Sequence, residues 1–326
     1  MDSENSTALV FLNMGGPDSL EAVEPFLFNL FSDRQLIRLP CGALLQRPFA
    51  RLISRARAPR VRENYRAIGG SSPQRDWTER QAAGVASILG EGVRPYVVMR
   101  YWAPRAEDTL RRMQDDGVRR AVVLSLYPHY TDATTGSSVD DFRRAAAAVF
   151  PDLSYTVIDQ WFDWPGYLDA LAARVNEGLA QFPPELRQDV QILFSAHALP
   201  QKFIDRGDPY LDHVLKTIRG VMRRVGEEYP WQVGFQSRSG PVRWMAPETR
   251  EVLDRLARAG SEAVLMVPVS FVSDHIETLQ EIDMEYRDHA QKIGIRHFVR
   301  CPSLNANADF LAALAELICE RLKQWA

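Results

Sequence analysis

The chain has 326 residues, 46% of them apolar and 25% charged, with a formal net charge of −3. That balance is typical of a soluble globular protein with room for two domains, and it excludes disordered and fibrous classes. Mild acidity without helix-turn-helix or zinc-finger spacing argues against nucleic-acid binding, and no apolar stretch approaches the roughly 18 residues that span a bilayer.

In chain order, eight apolar runs read as strands: LVFLN (9–13), YVVMRYW (96–102), AVVLSLY (121–127), YTVID (155–159), VQILFSA (190–196), WQVGFQS (231–237), AVLMVPVSF (263–271) and RHFVR (296–300). Most are apolar on both faces and are separated by helix-length amphipathic segments, the pattern of βαβ units and parallel sheets. The halves also resemble each other. APRAEDTLRRMQDDG (103–117) and APETREVLDRLARAG (246–260) precede strands at an offset of 143, with LYPHYTD opposite VPVSFVSD. FLNMGGP (11–17) matches FSAHALP (194–200) at 183. The expected fold class is therefore α/β: two similar doubly wound, Rossmann-like parallel-sheet domains facing each other across a cleft. The first spans 1–160 and the second 161–326. Ligands of such sheets bind at the carboxyl ends of strands, so NMGGP, YPHYTD, SAHALP and VSDHIE are expected to converge there.

The first half carries 40 extra residues between its first strand and its AP helix, and the segment 25–60 supplies most of them. From Arg34 to Arg62 there are eight arginines and no acidic residue, interleaved with Phe, Leu and Ile. Such a stretch reads either as a solvated helix face or as an apolar, cationic lip suited to a flat hydrophobic ligand with carboxylates, or to an anionic membrane surface. Nothing reads G-x-G-x-x-G or G-x-x-x-x-G-K-[ST], so no nucleotide is implied. TTGSS (134–138) either caps a helix or offers hydroxyls and amides to an anion. Tyr101 and Trp244, in corresponding loops, are core residues or walls for a planar ligand.

His197 ends an apolar run, where an imidazole is either structural or free to titrate or ligate. In DHIETLQEIDMEY (274–286), Asp274 with Glu277 three residues on reads as a capping box. Glu277, Glu281 and Glu285, spaced i, i+4, i+8, share one face, and a basic residue does not follow until Arg287. Three unpaired carboxylates repel, which favours an oxygen-ligand route for a divalent cation. The opening MDSENSTALVFL has no basic n-region, so no secretory signal is expected. Cys41, Cys301 and Cys319 lack disulfide or C-x-x-C spacing and fit reduced thiols in a cytoplasm.

Taken together, FLNMGGPDS, YRAIGGSSP, YPHYTDATTGSS, LFSAHALP, RGDPY, GFQSRSGPVRWMAPET and VPVSFVSDHIETLQEIDMEY resemble the ferrochelatases over essentially the whole chain. These are the lyases that insert Fe²⁺ into a porphyrin at the last step of haem synthesis. The resemblance implies that His197 and Glu277 are catalytic, and that His197, Glu277, Glu281 and Glu285 handle the metal. It places Met14, Tyr65, Ser72, Arg100, Tyr101, Tyr130, Trp244, Phe271, Asp274 and His275 around the porphyrin, with Arg57 and Arg60 of the lip near its propionates. It implies no tightly bound cofactor. Some family members hold a [2Fe–2S] cluster through a C-terminal Cys group plus one Cys where this chain has TDATTG, and here only Cys319 is near the C-terminus. The coproporphyrin-using branch often reads A-Y-G at NMGGP, so Met14 points to protoporphyrin IX. The alternatives are coproporphyrin III, another tetrapyrrole chelatase, or a non-catalytic haem or metal carrier. Expected partners are porphyrin and Fe²⁺, with peripheral contact at the inner membrane face and neighbouring haem-pathway enzymes as further possibilities.

Overall fold

A computed structural model describes residues 6–36, 42–226 and 228–325; Cys41 and the centre of the expected lip, 37–41, lie outside these. The chain divides into two compact units, Met1–Gln160 with Leu314–Ala326, and Trp161–Ala313.

The first unit is built on a parallel sheet of β1 (Thr7–Asn13), β2 (Val93–Met99), β3 (Arg120–Ser125) and β4 (Ser154–Ile158), in the order β2-β1-β3-β4. β1 is buried along nearly its whole length, as a central strand covered on both faces must be. The register pairs Asn13 with Met99 and Leu12 with Ser125, so the strands end level with each other. Helices α1 (Val23–Ser32), α2 (Gly42–Ala67) and α3 (Gln74–Leu89) fill the first crossover; α4 (Ala106–Asp115) and α5 (Ser137–Val149) fill the next two. α4 shows why these segments are helical. Ala106, Thr109, Leu110 and Met113 are its buried residues, at the i, i+3, i+4, i+7 spacing of one face, and Glu107 and Asp108 sit in its positive first turn.

The second unit repeats the plan with β5 (Gln191–His197), β6 (Trp231–Gln236), β7 (Ala263–Pro268) and β8 (His297–Arg300), in the order β6-β5-β7-β8. Its helices are α6 (Pro165–Ala180), α7 (Gln201–Ile204), α8 (Tyr210–Val225), α9 (Thr249–Arg258) and α10 (Arg287–Lys292); α11 (Ala308–Trp325) begins in it. α9 buries Thr249, Val252, Leu253 and Leu256, the α4 pattern displaced by 143. Val252, Leu253 and Leu256 join Leu193, Val264, Met266, Ile282 and Tyr286 in one apolar core, each large side chain contributing about 1.5–3 kcal/mol through burial.

Two features differ from the sequence expectation. The second half does not keep its last helix, because α11 from Leu314 onward belongs to the first unit. There the Trp325 ring lies 4.6 Å from the Arg120 guanidinium at the start of β3. In both units the helix after the third strand begins in π form, over Asp132–Gly136 and over Glu277–Tyr286. Such stretches are rare and concentrate at functional sites.

Candidate active site

At the carboxyl end of the second sheet, β5 stops on His197 and its neighbour β6 stops on Gln236, the two paired in register. Tyr210 Oη donates to the His197 carbonyl at 2.9 Å and lies 2.7 Å from Ser270 Oγ, which pins the strand end. His197 Nδ1 lies 2.9 Å from Glu277 Oε2 at the start of the π-helix. Glu277 thus engages Nδ1 and not Nε2, and the side chain keeps 36% exposure.

The electrostatics follow from burial opposed by partners. Burial pulls the His197 pKa down, but Glu277, with Glu281 behind it, more than reverses this, and His197 titrates above its ordinary value. For Glu277 burial acts upward, yet His197, His275 and Ser237 outweigh it and hold the carboxyl at about 2. Glu281 goes the other way: burial and the adjacent Glu277 charge raise it. Two carboxylates one helical turn apart thus have opposite proton affinities.

Ser237 and Gln236 join them. The Ser237 N–H donates to Glu281 Oε1 at 2.9 Å, and its hydroxyl reaches both Glu281 Oε2 and, at 3.0 Å, Glu277 Oε2. Ser237 does this from the left-handed region, at φ 64°, which costs a non-glycine residue on the order of 1 kcal/mol. Gln236 is fully buried; Ser195 Oγ donates to its Oε1, which turns its Nε2 toward Glu281 Oε2 at 3.1 Å. Tyr286 Oη donates to Glu281 Oε1 at 2.9 Å. None of Gln236, Ser237, Tyr210 or Tyr286 was singled out in the sequence. A serine in an S-R-S-G turn looks like any loop serine, and only its position at a strand end marks it.

Several expectations need correcting. The capping box does not form. Asp274 instead accepts from Arg300 (3.0 Å), Ser303 (2.7 Å) and Asn305 (2.8 Å), while Glu277 turns to His197. Asp274 is therefore a structural anchor of the turn, its pKa lowered because Arg300 and these donors outweigh burial. Glu285 does not continue the carboxylate row. It pairs with Arg250 at 3.3 Å and accepts from Gln280 at 2.9 Å, because α9 presents a cation there. Among the described residues no three His, Cys, Asp or Glu side chains form a group able to hold a metal. His275 is buried, its Nδ1–H donates to the Ser273 carbonyl at 3.1 Å, and burial lowers its pKa. Its ring lies 4.4 Å from that of Phe271, which meets His197 edge-on at 6.4 Å.

The strand ends of the first unit are arranged differently. After β1, Met14 is half-buried and Gly15 adopts φ +79°. A Cβ on Gly16 would lie 2.4 Å from Ser72 Oγ, so glycine is what lets the Ser72 loop close on the β1 turn. The buried Tyr65 hydroxyl lies close by, at 3.7 Å from the same point. Tyr130 donates to Asp132 at 3.0 Å, and burial with that carboxylate pushes its phenol up to about 12. Arg100 and Tyr101 are not turned to a ligand. Arg100 is paired to Asp33 at 2.8 Å, and Tyr101, 2% exposed, donates to the same carboxylate at 2.7 Å. No side chain caps α5; of the TTGSS hydroxyls, Ser137 donates to Asp33 at 2.6 Å and Thr135 lies 3.1 Å from Ser125 Oγ. Trp244 is half-buried and bridges Pro200.

α2 inverts the usual helix. Its buried residues include small or polar Gln46, Ala50, Ser54 and Ala58, packed toward α1, while Leu44 (94% exposed), Leu45, Phe49 and Leu52 face outward. Arg47 and Arg51 lie over the Phe28 ring and Arg57 over Phe31, at 5.5–5.6 Å. Burial and neighbouring Arg60 lower the Arg57 pKa, and Arg60 itself is exposed.

The family model described as Ferrochelatase matches residues 6–322. The chain belongs to the ferrochelatase family. Ferrochelatases of Geotalea uraniireducens and Geobacter metallireducens are each 50% identical over 313 residues, covering 96% of this chain and 97% of theirs. That of Gloeobacter violaceus is 44% identical, with 96% and 97% covered. Among solved structures, SirB from Bacillus subtilis with Fe³⁺ shares the fold at 10% identity, with TM-score 0.56 over 97% of this chain and 95% of that one. As a ferrochelatase the chain is a metal chelatase of the lyase class acting in haem synthesis, with porphyrin and iron as its substrates. No helix among the described residues is long and apolar enough to cross a membrane.

Proposed function

We propose that the porphyrin is protoporphyrin IX and that His197, Glu277 and Glu281 carry the insertion of Fe²⁺. The observation that carries this reading is the 2.9 Å His197–Glu277 pair with Glu281 tied to it through Ser237. Insertion puts one divalent ion in and takes two pyrrole protons out, so the site needs a fixed negative charge and at least one group ready to hold a proton. Glu277, held at about 2, supplies the charge, and Glu281, raised, is the carboxylate that holds a proton most readily. In the free enzyme Glu277 favours the protonated form of His197. A divalent cation arriving at Glu277 opposes that field and lowers the His197 pKa, so the ring passes its proton to solvent and the free imidazole then takes a pyrrole proton.

Met14, Tyr65, Ser72, Tyr130, Trp244 and Phe271 are the proposed porphyrin contacts, with Arg57 and Arg60 for the propionates. Met14 at the end of β1 favours protoporphyrin over coproporphyrin III. Insertion kinetics with both porphyrins, in the wild type and in His197→Ala, test the assignment. His197→Ala is expected to lose insertion while still binding porphyrin; near-normal rates in that variant refute it, and a higher kcat/KM with coproporphyrin III refutes the substrate.

The outward Leu44, Leu45, Phe49 and Leu52, beside exposed Arg47 and Arg51, support a peripheral contact with an anionic membrane. Cosedimentation with phosphatidylserine vesicles but not with neutral ones is expected, and Leu44→Glu is expected to reduce it.

A further inference from the structure

The end of α1 is fastened to the strand-end loops of its own unit by a cluster that the chemistry above does not use. Asp33, the residue that follows α1, lies at the centre. Its Oδ2 accepts from Ser137 Oγ at 2.6 Å, Tyr101 Oη at 2.7 Å and Arg100 Nη2 at 2.8 Å, and its Oδ1 accepts from the Gln35 N–H at 2.8 Å. The pair is buried, with side-chain exposures of 6% for Asp33 and 11% for Arg100. Arg100 has little left for a ligand, since Nε donates to Ser137 at 2.8 Å and Nη1 is 3.5 Å from Asp141. Two more bonds flank the cluster: Asn29 Nδ2 donates to the Tyr101 carbonyl at 3.0 Å, and Gln35 Nε2 to Asp140 at 2.7 Å.

We propose that Asp33 is a positioning residue: its carboxylate locks the end of α1 to the loops after β2 and β3, and so fixes the α1–α2 arm on which porphyrin binding depends. The geometry favours this over a substrate role for Arg100. A carboxylate that accepts from Arg100 and Tyr101 after β2 and from Ser137 at the start of α5 is a cross-link, and the guanidinium it holds is saturated by protein groups. The arm needs such a fastening. α2 buries small and polar residues on α1 while its large apolar side chains face outward, so packing alone supplies less cohesion than an ordinary amphipathic pair would. Burial raises the Asp33 pKa, but Ser137, Tyr101 and Arg100 together bring it below its ordinary value, consistent with a charged anchor at neutral pH.

The inference rests on the porphyrin-chelatase reading, and the test separates the two. Hydrogen exchange of the full chain is compared between wild type and Asp33→Asn, alongside insertion kinetics with Zn²⁺ varied against protoporphyrin. In Asp33→Asn, peptides covering 23–36 should exchange about tenfold faster while those covering β3 are unchanged, the signature of local rather than global opening. The porphyrin KM should rise about tenfold with the metal KM within about twofold, as expected when one partner of a buried charge pair is removed at one substrate's support only. Ser137→Ala, which removes one of the donors and keeps the ion pair, should give the same pattern at about threefold. Unchanged exchange over 23–36 overturns the proposal. So does faster exchange with an unaltered porphyrin KM, or equal rises in both KM values together with faster exchange throughout the unit. Failure of the wild type to insert metal counts against the chelatase reading alone, since the exchange comparison still reads the lock.

Discussion

The two sheets share strand order, crossover helices and even a π-helical start after the third strand, yet their carboxyl ends do opposite things. In the first unit, arginine, aspartate, tyrosine and serine close on one another until Asp33 and Arg100 are nearly out of solvent. In the second, the residues at the matching strand ends leave an imidazole over a third exposed above two carboxylates of opposite proton affinity. The same scaffold thus makes a clasp on one side and a charged, open cluster on the other. What differs is the stoichiometry of partners: the clasp matches each charge with donors and acceptors, whereas the open cluster has one carboxylate more than it has cations. In the proposed insertion, that surplus attracts the metal ion and gives the porphyrin somewhere to leave its protons.

The comparison breaks most completely at Glu277. Replacing it with Gln removes the surplus charge and the partner that raises the His197 pKa. Insertion should fall by about 10²-fold or more in kcat, the range for losing a group positioned for proton transfer. The His197 pKa, measured by NMR, should drop, because burial is then opposed only by the more distant Glu281. The pair also leaves a pH signature in stability. Glu277 is lower folded than unfolded, so its contribution is present above about 4.5 and disappears as pH falls toward about 2. His197 is higher folded than unfolded, so its contribution is full below about 6.5 and disappears as pH rises through the raised folded value. The stability difference between wild type and Glu277→Gln should therefore be greatest between about pH 4.5 and 6.5 and shrink on both sides. A difference that grows above that window contradicts the charge assignment.

The sequence shows the clasp and the open cluster unequally. The strands are plain in it because parallel strands are apolar on both faces, and LVFLN or AVLMV has few other uses. The shared offset of 143 recovers α4 and α9 because both keep the same four buried positions. His197 and Glu277 stand out as titratable groups just beyond such strands. The clasp is hidden because its members are 104 residues apart in the chain at the widest, and the basic stretch that draws the eye starts at Arg34, one residue past Asp33. The capping box misleads for the same reason: the partners that take Asp274 away lie 26 to 31 residues downstream. π-helical winding is equally silent, since i+4 and i+5 hydrogen bonding ask for no distinct residue types. Local pattern reveals elements, while long-range partners decide which polar groups are used up.

A smaller effect is expected where the first unit's turn after β1 closes. Gly16→Ala puts a methyl group 2.4 Å from Ser72 Oγ and 2.5 Å from its Cβ, so the Ser72 loop must move. Overpacking of this kind costs about 1–3 kcal/mol, readable as a lower Tm. Because Ser72 is also a proposed porphyrin contact, the porphyrin KM should rise with it. Adding Ser72→Gly removes the clashing atoms, so the double variant should regain stability relative to Gly16→Ala and still bind porphyrin poorly. Equal Tm for wild type and Gly16→Ala would mean that the two turns are not in contact.

Ser237 gives the smallest and most discriminating test, because one residue there combines a backbone cost with a side-chain role. Ser237→Ala keeps the left-handed cost and deletes the hydroxyl; Ser237→Gly deletes the hydroxyl and relieves the backbone. Gly should therefore be more stable than Ala by about 1 kcal/mol. In both, Glu281 loses a bond that lowers its pKa, while the Ser237 N–H to Glu281 is retained. Its pKa should rise further, moving the corresponding limb of the pH–rate profile to higher pH by the same amount in each, with a kcat loss of a few-fold. Were the hydroxyl only a structural prop, the profile would stay in place and the two variants would differ in stability alone. A shared shift of the limb, independent of which residue replaces Ser237, identifies the hydroxyl as the group that tunes the proton-holding carboxylate.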